Sequence, residues 1–424
     1  MNTILFEALM KHLKITQEAV DEGRLRVDVT DELGRPIEGA TANISYTGEP
    51  DSVIEEINTN SDGQTPVITL PAPPIEYSEQ PGIEQPYSEY NILISAPGFA
   101  PVAVSGAELF SGQTSIQNIR LIPIVEGGEA RVVIIPPNVL FGNFPPKIPE
   151  AEIKPITSQG EIVLNEVVVP ETIVVHDGVP SNAHVTNYYV PFIDYIKNVA
   201  SSEIYPTWPK ETLKANIIAI VSFTLNRVYT EWYRNKGYNF TITSSTAYDH
   251  KWTRDRTIFE DISAVVDEVF ADYVSRPNVK QPILTQYCDG QKTTCAGMSQ
   301  WGSKSLGDDG LSALQILRTY YGDNIYINTA NEVEGIPLSF PGTALTIGSS
   351  GRDVRTIQEQ LVRIRQTYGN IPALSIDGIY GEDTQAAVEA FQRIFDLPVT
   401  GDVGYSTWYK ISQLYVALEK LAEL

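Results

Sequence analysis

The period at which apolar residues recur changes along this chain, and that change constrains its fold more than any other feature. From residue 24 the stretch RLRVDVTD alternates apolar and polar residues, ELGRPIEG supplies turn chemistry, and ATANISYT alternates again. Alternation puts successive side chains on opposite faces of a strand. Further short runs, YNILISA and IQNIRLIPI, follow between Gly and Pro clusters. The spacing predicts a small antiparallel β-sandwich over residues 24–123. Next, VIIPPNVLFGNFPPKIPEAEIKP is too proline-rich for helix and predicts an extended connector over 124–150. From 151 to 335 a second domain is expected, beginning with short strands and carrying helices near 210–236, 257–275 and 309–320. In residues 340–424 the period turns helical: Val354, Ile357, Leu361 and Ile364 line one face, Ala387, Ala390, Phe391 and Ile394 another. Asp377-Gly378 and Gly381 supply the turn between them. These regimes need separate cores, so the expected class is multidomain α+β, and 424 residues are enough to build it.

Composition narrows the partners. The chain carries 53 acids against 30 bases, a net charge of −23. Nucleic-acid binding normally shows a basic footprint and adhesion to anionic lipid needs one, so neither is expected. No apolar run reaches the length of a membrane span, so no membrane insertion is expected. Two cysteines exclude a disulfide scaffold. Residues 1–23 lack a basic leader, and Glu7, Lys11 and Lys14 interrupt the apolar stretch, so no secretory signal is expected. Ile4, Leu5, Ala8, Leu9, His12 and Leu13 predict an amphipathic helical pre-segment instead. The protein is therefore expected to be kept on the side of the membrane where it is made.

Three stretches resemble known families. GRLRVDVTDELGRPIEGATANI, with TNSDGQTPVITLP and YNILISAPGFAP, resembles the carboxypeptidase-regulatory-like module, which packs, binds or spaces. GSSGRDV, then DGIYGEDTQAAVEAFQ and VTGDVGYSTW, resembles the peptidoglycan-binding type 1 module and implies a three-helix domain. ASSEIYPTWPKETLKANIIAIVSFTLNRVY, followed by CAGMSQWGSKSLGDDGLSALQILRTYYGDNI, resembles the SpoIID/LytB domain of peptidoglycan lytic transglycosylases. That resemblance puts the catalytic acid on Glu203, the helix lysine on Lys214, and the Met-Ser-Gln turn on Met298, Ser299 and Gln300. Two stretches depart from the family: Val221 replaces an arginine, and Thr293, Thr294 and Cys295 replace a glycine–histidine pair. Some relatives hold zinc through Cys and His. Here His250 is the one nearby histidine, so neither a metal nor another cofactor is expected. Cys288 and Cys295 have the spacing of a local loop, either a disulfide or two free thiols.

The order of these modules resembles the clostridial spore cortex-lytic enzymes of the SleC type. The resemblance implies a zymogen made in the mother cell, held in the cortex and coat region of the spore, and acting on cortex peptidoglycan. A subtilisin-like germination protease would activate it by a cut in the N-terminal part.

Most glycosidases need two carboxylates, whereas a lytic transglycosylase needs one acid that later accepts a proton. Glu203 lies beside Tyr205 and Trp208, and desolvation against those rings is the expected means of keeping it protonated. Lys214 could hold a substrate oxygen or be a solvated helix lysine. Ser299 and Gln300 offer neutral donors and acceptors for amide-bearing sugars, with Tyr287 or Trp301 as stacking faces. Three alternatives compete. A zinc amidase conflicts with four scattered histidines. A non-catalytic wall adaptor is favoured by the lost arginine and histidine. A phage-type wall lysin shares the chemistry and differs in delivery.

Overall fold

The computed structural model describes residues 21–31, 34–124, 131–154, 167–333, 341, 343–395, 397–404 and parts of 407–415. The helical pre-segment expected over 1–23 lies outside these residues except for its last three, which begin a strand.

The N-terminal region holds β1 (Asp21–Thr30), β2 (Thr41–Tyr46), β3 (Val53–Asn58), β4 (Ile68–Ala72), the one-turn α1 (Glu76–Glu79), β5 (Ser88–Ser95), β6 (Val102–Leu109), β7 (Thr114–Arg120) and β8 (Arg131–Ile134). In β1 the alternation is literal: Leu25, Val27 and Val29 are buried while Arg24, Arg26 and Asp28 face outward. β1 pairs antiparallel with β4 and parallel with β7. A second sheet has the order β3-β2-β5-β6-β8. Both sheets contribute to one apolar core that includes Leu25, Val27, Ile44, Ile92 and Val104. Residues 131–134, within the proline-rich stretch, form the edge strand of the second sheet.

The central region begins with β9 (Val168–Pro170), β10 (Thr172–His176) and β11 (Asn187–Pro191), then α2 (Phe192–Glu203) and α3 (Lys210–Tyr229). It continues through β12 (Ile242–Thr243), β13 (Ile258–Phe259), α4 (Glu260–Val269), β14 (Asp272–Ser275), β15 (Tyr287–Cys288), β16 (Met298–Ser299), α5 (Gln300–Asp308), α6 (Ala313–Tyr321), β17 (Tyr326–Thr329) and β18 (Asn331–Val333). α3 is apolar on nearly every side, which suits a helix packed by α2, α4, α5 and α6 at once. Its Ser222 and Thr224 satisfy their hydroxyls on the carbonyls of Ile218 and Ile220.

Two helices, α2 and α5, stand where no helix was expected, and the expected helix 257–275 is confined to Glu260–Val269. In α5, Gly302 and Gly307 count against helix by propensity. Packing explains both. A Cβ on Gly302 would lie 2.1 Å from the Tyr320 hydroxyl, and one on Gly307 would lie 1.9 Å from Thr212 Oγ1.

The N-terminal and central regions share a seam. β13 pairs with β7, so a central strand completes the first N-terminal sheet. The Phe110 ring lies 5.1 Å from Phe259 and 5.2 Å from Tyr205. Buried Arg256 donates to buried Glu108 at 2.5 Å, and Trp208 Nε1 donates to the Ser78 carbonyl at 3.0 Å.

The C-terminal region has its own core, with Val354, Ile357, Leu361, Phe391 and Trp408. α7 (Arg352–Thr367) and α8 (Glu382–Ile394) each bury a glutamine, Gln358 and Gln392, that organises the following turn. Gln358 accepts from the Asp377 and Gly378 N–H groups, and Gln392 accepts from those of Thr400 and Gly401. The third expected helix falls on residues described only in part.

Candidate active site

α2 ends at Glu203 because Pro206 and Pro209 prevent continuation, and α3 restarts at Lys210 directly after Pro209. Glu203 and Lys214 therefore sit on different helices. The Glu203 side chain is 1% exposed, and its Oε1 accepts from the Lys251 backbone N–H at 2.8 Å. Gln300, the first residue of α5, donates from Nε2 to the Glu203 carbonyl at 2.9 Å and lies 3.5 Å from Glu203 Oε2. The buried Tyr287 hydroxyl and Gln300 Oε1 have no hydrogen-bond partner among the described residues. Glu203, Tyr287 and Gln300 line a cavity of about 190 Å³. A proline-rich strap, with Val139, Phe144, Pro145, Pro146 and Lys147, forms the facing wall.

Lys147 reaches inward from the strap, donates to the Asp249 carbonyl, and lies 4.6 Å from the Tyr287 ring centroid. Burial holds its ammonium below the ordinary lysine range, against the pull of Glu203 and Asp249. Burial, followed by the Glu203 charge, pushes the Tyr287 phenol well above its usual range, so it remains a neutral donor. His250, stacked on Tyr287 and 3.1 Å from the Tyr195 hydroxyl, is held well below the ordinary histidine range by burial, then by Lys147 and Arg227. It is neutral at pH 7.

Asp289 also lines the cavity, but its own loop engages it. Oδ1 accepts from the Thr293 N–H and hydroxyl at 2.8 and 2.7 Å, and Oδ2 accepts from the Lys292 N–H at 2.8 Å. Burial alone would raise the Asp289 carboxyl, and these donors outweigh it, holding the group below its usual range. Asp249 is likewise committed, to Arg227, Tyr233 and Thr243. Glu203 is thus the lining carboxyl with a loosely held oxygen, Oε2, approached by Gln300 Nε2 at 3.5 Å. The arrangement can give or take one proton beside a neutral phenol and a neutral amide.

Of the residues singled out from sequence, Glu203, Tyr287 and Gln300 meet in this cavity, and Lys214 and Ser299 do not line it. Lys214 pairs instead with Glu268 at 2.9 Å, in a partly exposed cluster that includes Lys210. Ser299 caps α5, its Oγ accepting from the Gly302 N–H at 2.9 Å. Tyr205 and Trp208, expected as the wall against Glu203, pack with Trp301 in the core near the N-terminal region, and the apolar wall comes from Phe144 and its neighbouring prolines. Cys288 and Cys295 form a disulfide with Cα atoms 6.1 Å apart, closing the loop that carries Asp289, Lys292 and Thr293. Lys292 ties that loop to the strap by donating to the carbonyls of Leu140, Phe141 and Gly142. Sequence reasoning missed Lys147, Lys251 and the strap. The one available signal was a lone lysine within FGNFPPKIP.

Among the described residues no group of three His, Cys, Asp or Glu side chains is placed to hold a metal ion. No helix of the described residues is long and apolar enough to cross a membrane.

Residues 181–271 match the family model described as "Stage II sporulation protein", and residues 350–411 match "Putative peptidoglycan binding domain". The zinc D-Ala-D-Ala carboxypeptidase of Streptomyces albus G is 41% identical over 70 residues, which cover 16% of this chain and 26% of that protein's length. Among solved structures, the SleB N-terminal domain aligns at 30% identity over 18% of this chain and 99% of its own, with a TM-score of 0.16. Wild-type catechol 1,2-dioxygenase from Acinetobacter radioresistens aligns at 14% identity over 27% of this chain and 58% of its own, with a TM-score of 0.19. The chain thus carries a SpoIID domain containing Glu203 and a C-terminal peptidoglycan-binding domain. These two matches are to families described by sporulation and by peptidoglycan binding, and the chain spans about a quarter of the length of the curated relative it matches.

Proposed function

We propose that this protein is a lytic transglycosylase that degrades the peptidoglycan of the spore cortex during germination. The observation that carries the reading is Glu203: a buried acid with one weakly engaged oxygen, inside the SpoIID match, lining a cavity beside the Tyr287 phenol and an unpaired amide oxygen of Gln300. Protonated Glu203 donates to the glycosidic oxygen between N-acetylmuramic acid and N-acetylglucosamine. The C1–O bond breaks and an oxocarbenium-like centre develops. The muramyl C6 hydroxyl attacks C1, and its proton passes to the Glu203 carboxylate. The product is a 1,6-anhydromuramyl end, and no water is consumed. Tyr287 can donate to, and Gln300 Oε1 can accept from, the acetamido groups of such a glycan.

The same reading includes storage as a zymogen in the spore cortex and coat region. A cavity of about 190 Å³ is smaller than the roughly 300–1,000 Å³ of pockets that hold drug-sized ligands. The strap is what limits it. Asn143, Pro145, Pro146 and Ile148 on the strap are exposed, and a cut within residues 110–150 by a subtilisin-like protease would free it. In this reading the N-terminal region is a carboxypeptidase-regulatory-like β-sandwich, and the C-terminal region is a three-helix module that holds the enzyme on its insoluble substrate.

A second reading, a non-catalytic wall adaptor, draws on Val221, buried in the core at the position of the family arginine. One experiment separates the two. Soluble products from purified cortex are analysed by mass spectrometry with and without borohydride reduction. Anhydromuramyl ends resist reduction, hydrolytic reducing ends gain two hydrogens, and an adaptor releases no products.

A further inference from the structure

A second cavity, of about 660 Å³, opens between the N-terminal and central regions, away from Glu203. Its charge is unusual for a chain with a net charge of −23. Three of its bases are held in close ion pairs: Arg26 with Asp28, which also lines the cavity, Lys197 with Asp267, and Arg256 with Glu108. Arg120, Arg131 and Arg254 remain, facing Asp255 and Asp194. Arg131 and Arg254 share a single oxygen, Asp255 Oδ2, at 3.0 and 3.4 Å. Asp255 holds that position with φ at 58°, a left-handed conformation that non-glycine residues adopt infrequently. The Arg254 guanidinium lies 5.1 Å from the Tyr188 ring centroid.

Two donors in this cavity lack partners among the described residues. Arg131 Nε and Trp252 Nε1 are both buried without a hydrogen bond. An unmatched buried donor is costly, and a ligand acceptor would relieve that cost. Burial lowers the Arg131 pKa, Asp255 pulls it back up, and Arg254 and Arg120, lesser contributors, push it down again, so the neighbouring guanidinium groups repel Arg131 where its carboxylate partner does not offset them. An anion between them would relieve this repulsion as well.

We propose that this cleft is a binding site for a polycarboxylate, with Arg120, Arg131 and Arg254 as its charged walls and Tyr188 and Trp252 as its aromatic ones. Guanidinium forks match carboxylates in two-point geometry. Two sources supply the chemistry: the stem peptides of peptidoglycan, or a small free polycarboxylate. The site is composite, since Arg120 and Arg131 belong to the N-terminal region and Arg254 and Trp252 to the central one. Occupancy therefore clamps the seam. This inference is independent of any reaction at Glu203.

The test is isothermal titration calorimetry on the full chain at low salt. Its probes are citrate, the free stem peptide of peptidoglycan, and that peptide with its carboxylates amidated. Saturable one-to-one binding is expected for citrate or the free peptide and is abolished by amidation. The tighter of the two identifies the source. The double variant Arg120→Gln, Arg254→Gln should bind at least tenfold more weakly, with Arg131 kept so that its pairing with Asp255 survives. Arg254→Lys, which retains charge but loses the fork, should fall between. Lys210→Gln and Glu203→Gln should bind as the wild type does, which separates this site from the catalytic reading. Absence of saturable binding by both carboxylate probes, or equal binding by the double variant, overturns the proposal.

Discussion

At the scale of single residues, Glu203 is held by one firm hydrogen bond, from the Lys251 N–H to Oε1. Glutamine at this position keeps a carbonyl acceptor for that donor and nearly the same volume, so Glu203→Gln should fold normally. It cannot donate a proton as a carboxylic acid does. General acid–base catalysis contributes about 10²–10⁴-fold, and here one group serves both steps, so muropeptide release should fall by at least that factor. Retention on insoluble peptidoglycan should not change. Initial rates and a pull-down with insoluble wall check both halves. Near-normal turnover would move the acid elsewhere, although Asp249 is tied to Arg227 and Asp255 to Arg131. Glu203 was legible in the sequence because flanking prolines and a family motif mark it. Lys147 was not, because nothing in FGNFPPKIP indicates that its ammonium turns inward toward Asp249 and Tyr287.

At the scale of elements, the seam around β6, β7 and β13 carries a titratable group. Burial pushes the Glu108 carboxyl from 4.5 up to about 7, with Arg256 pulling the other way, and Glu108 Oε1 has no partner. The folded chain therefore holds this proton more tightly than the unfolded chain does. The stability it contributes is complete below about pH 4.5 and is lost as pH rises through about 7. His250 acts in the opposite direction, since its folded value lies below 6.5 and stability falls as pH drops through the unfolded value. Comparing the wild type with Glu108→Gln removes that second contribution. Melting temperatures measured from pH 5 to 8 should move against the wild type, relative to the variant, as pH rises. Parallel curves would show that Glu108 does not titrate across this range. α5 makes the matching point about legibility: its two glycines read as breakers, yet close contact with Tyr320 and Thr212 requires them.

At the scale of the whole molecule, the C-terminal core is separate from the central one. Deleting residues 340–424 should leave cleavage of short soluble glycans unchanged and weaken retention on insoluble peptidoglycan at least tenfold. A tethered binder raises local concentration and takes no part in bond breaking. Equal losses on both substrates would make the module part of the catalytic fold. The N-terminal region differs, because the β7–β13 pairing, the Phe110–Phe259 contact and the Arg256–Glu108 pair cross its seam. Removing it outright would strip β7 from β13, take Glu108 from Arg256, and uncover the apolar faces of Phe259 and Tyr205 that pack on Phe110. The proper test of activation is therefore a full chain nicked within residues 110–150. The fragments should co-elute on size exclusion, and the nicked protein should be more active on both cortex and soluble glycan. Activity no higher than that of the intact chain on either substrate would end the zymogen reading.

The sequence by itself determined what local pattern can carry. Alternation set the buried face of β1, prolines set the break after Glu203, and motif spacing marked the SpoIID and peptidoglycan-binding stretches. These features depend on neighbours within a few residues, so they can be read without a fold. Tertiary structure alone decided which distant residues meet. It brought Lys147 and the strap over Glu203, sent Lys214 to Glu268, and gathered Arg120, Arg131 and Arg254 around one cavity. Burial and charge at those places come from packing between segments far apart in the chain, and no periodicity along the chain encodes that packing.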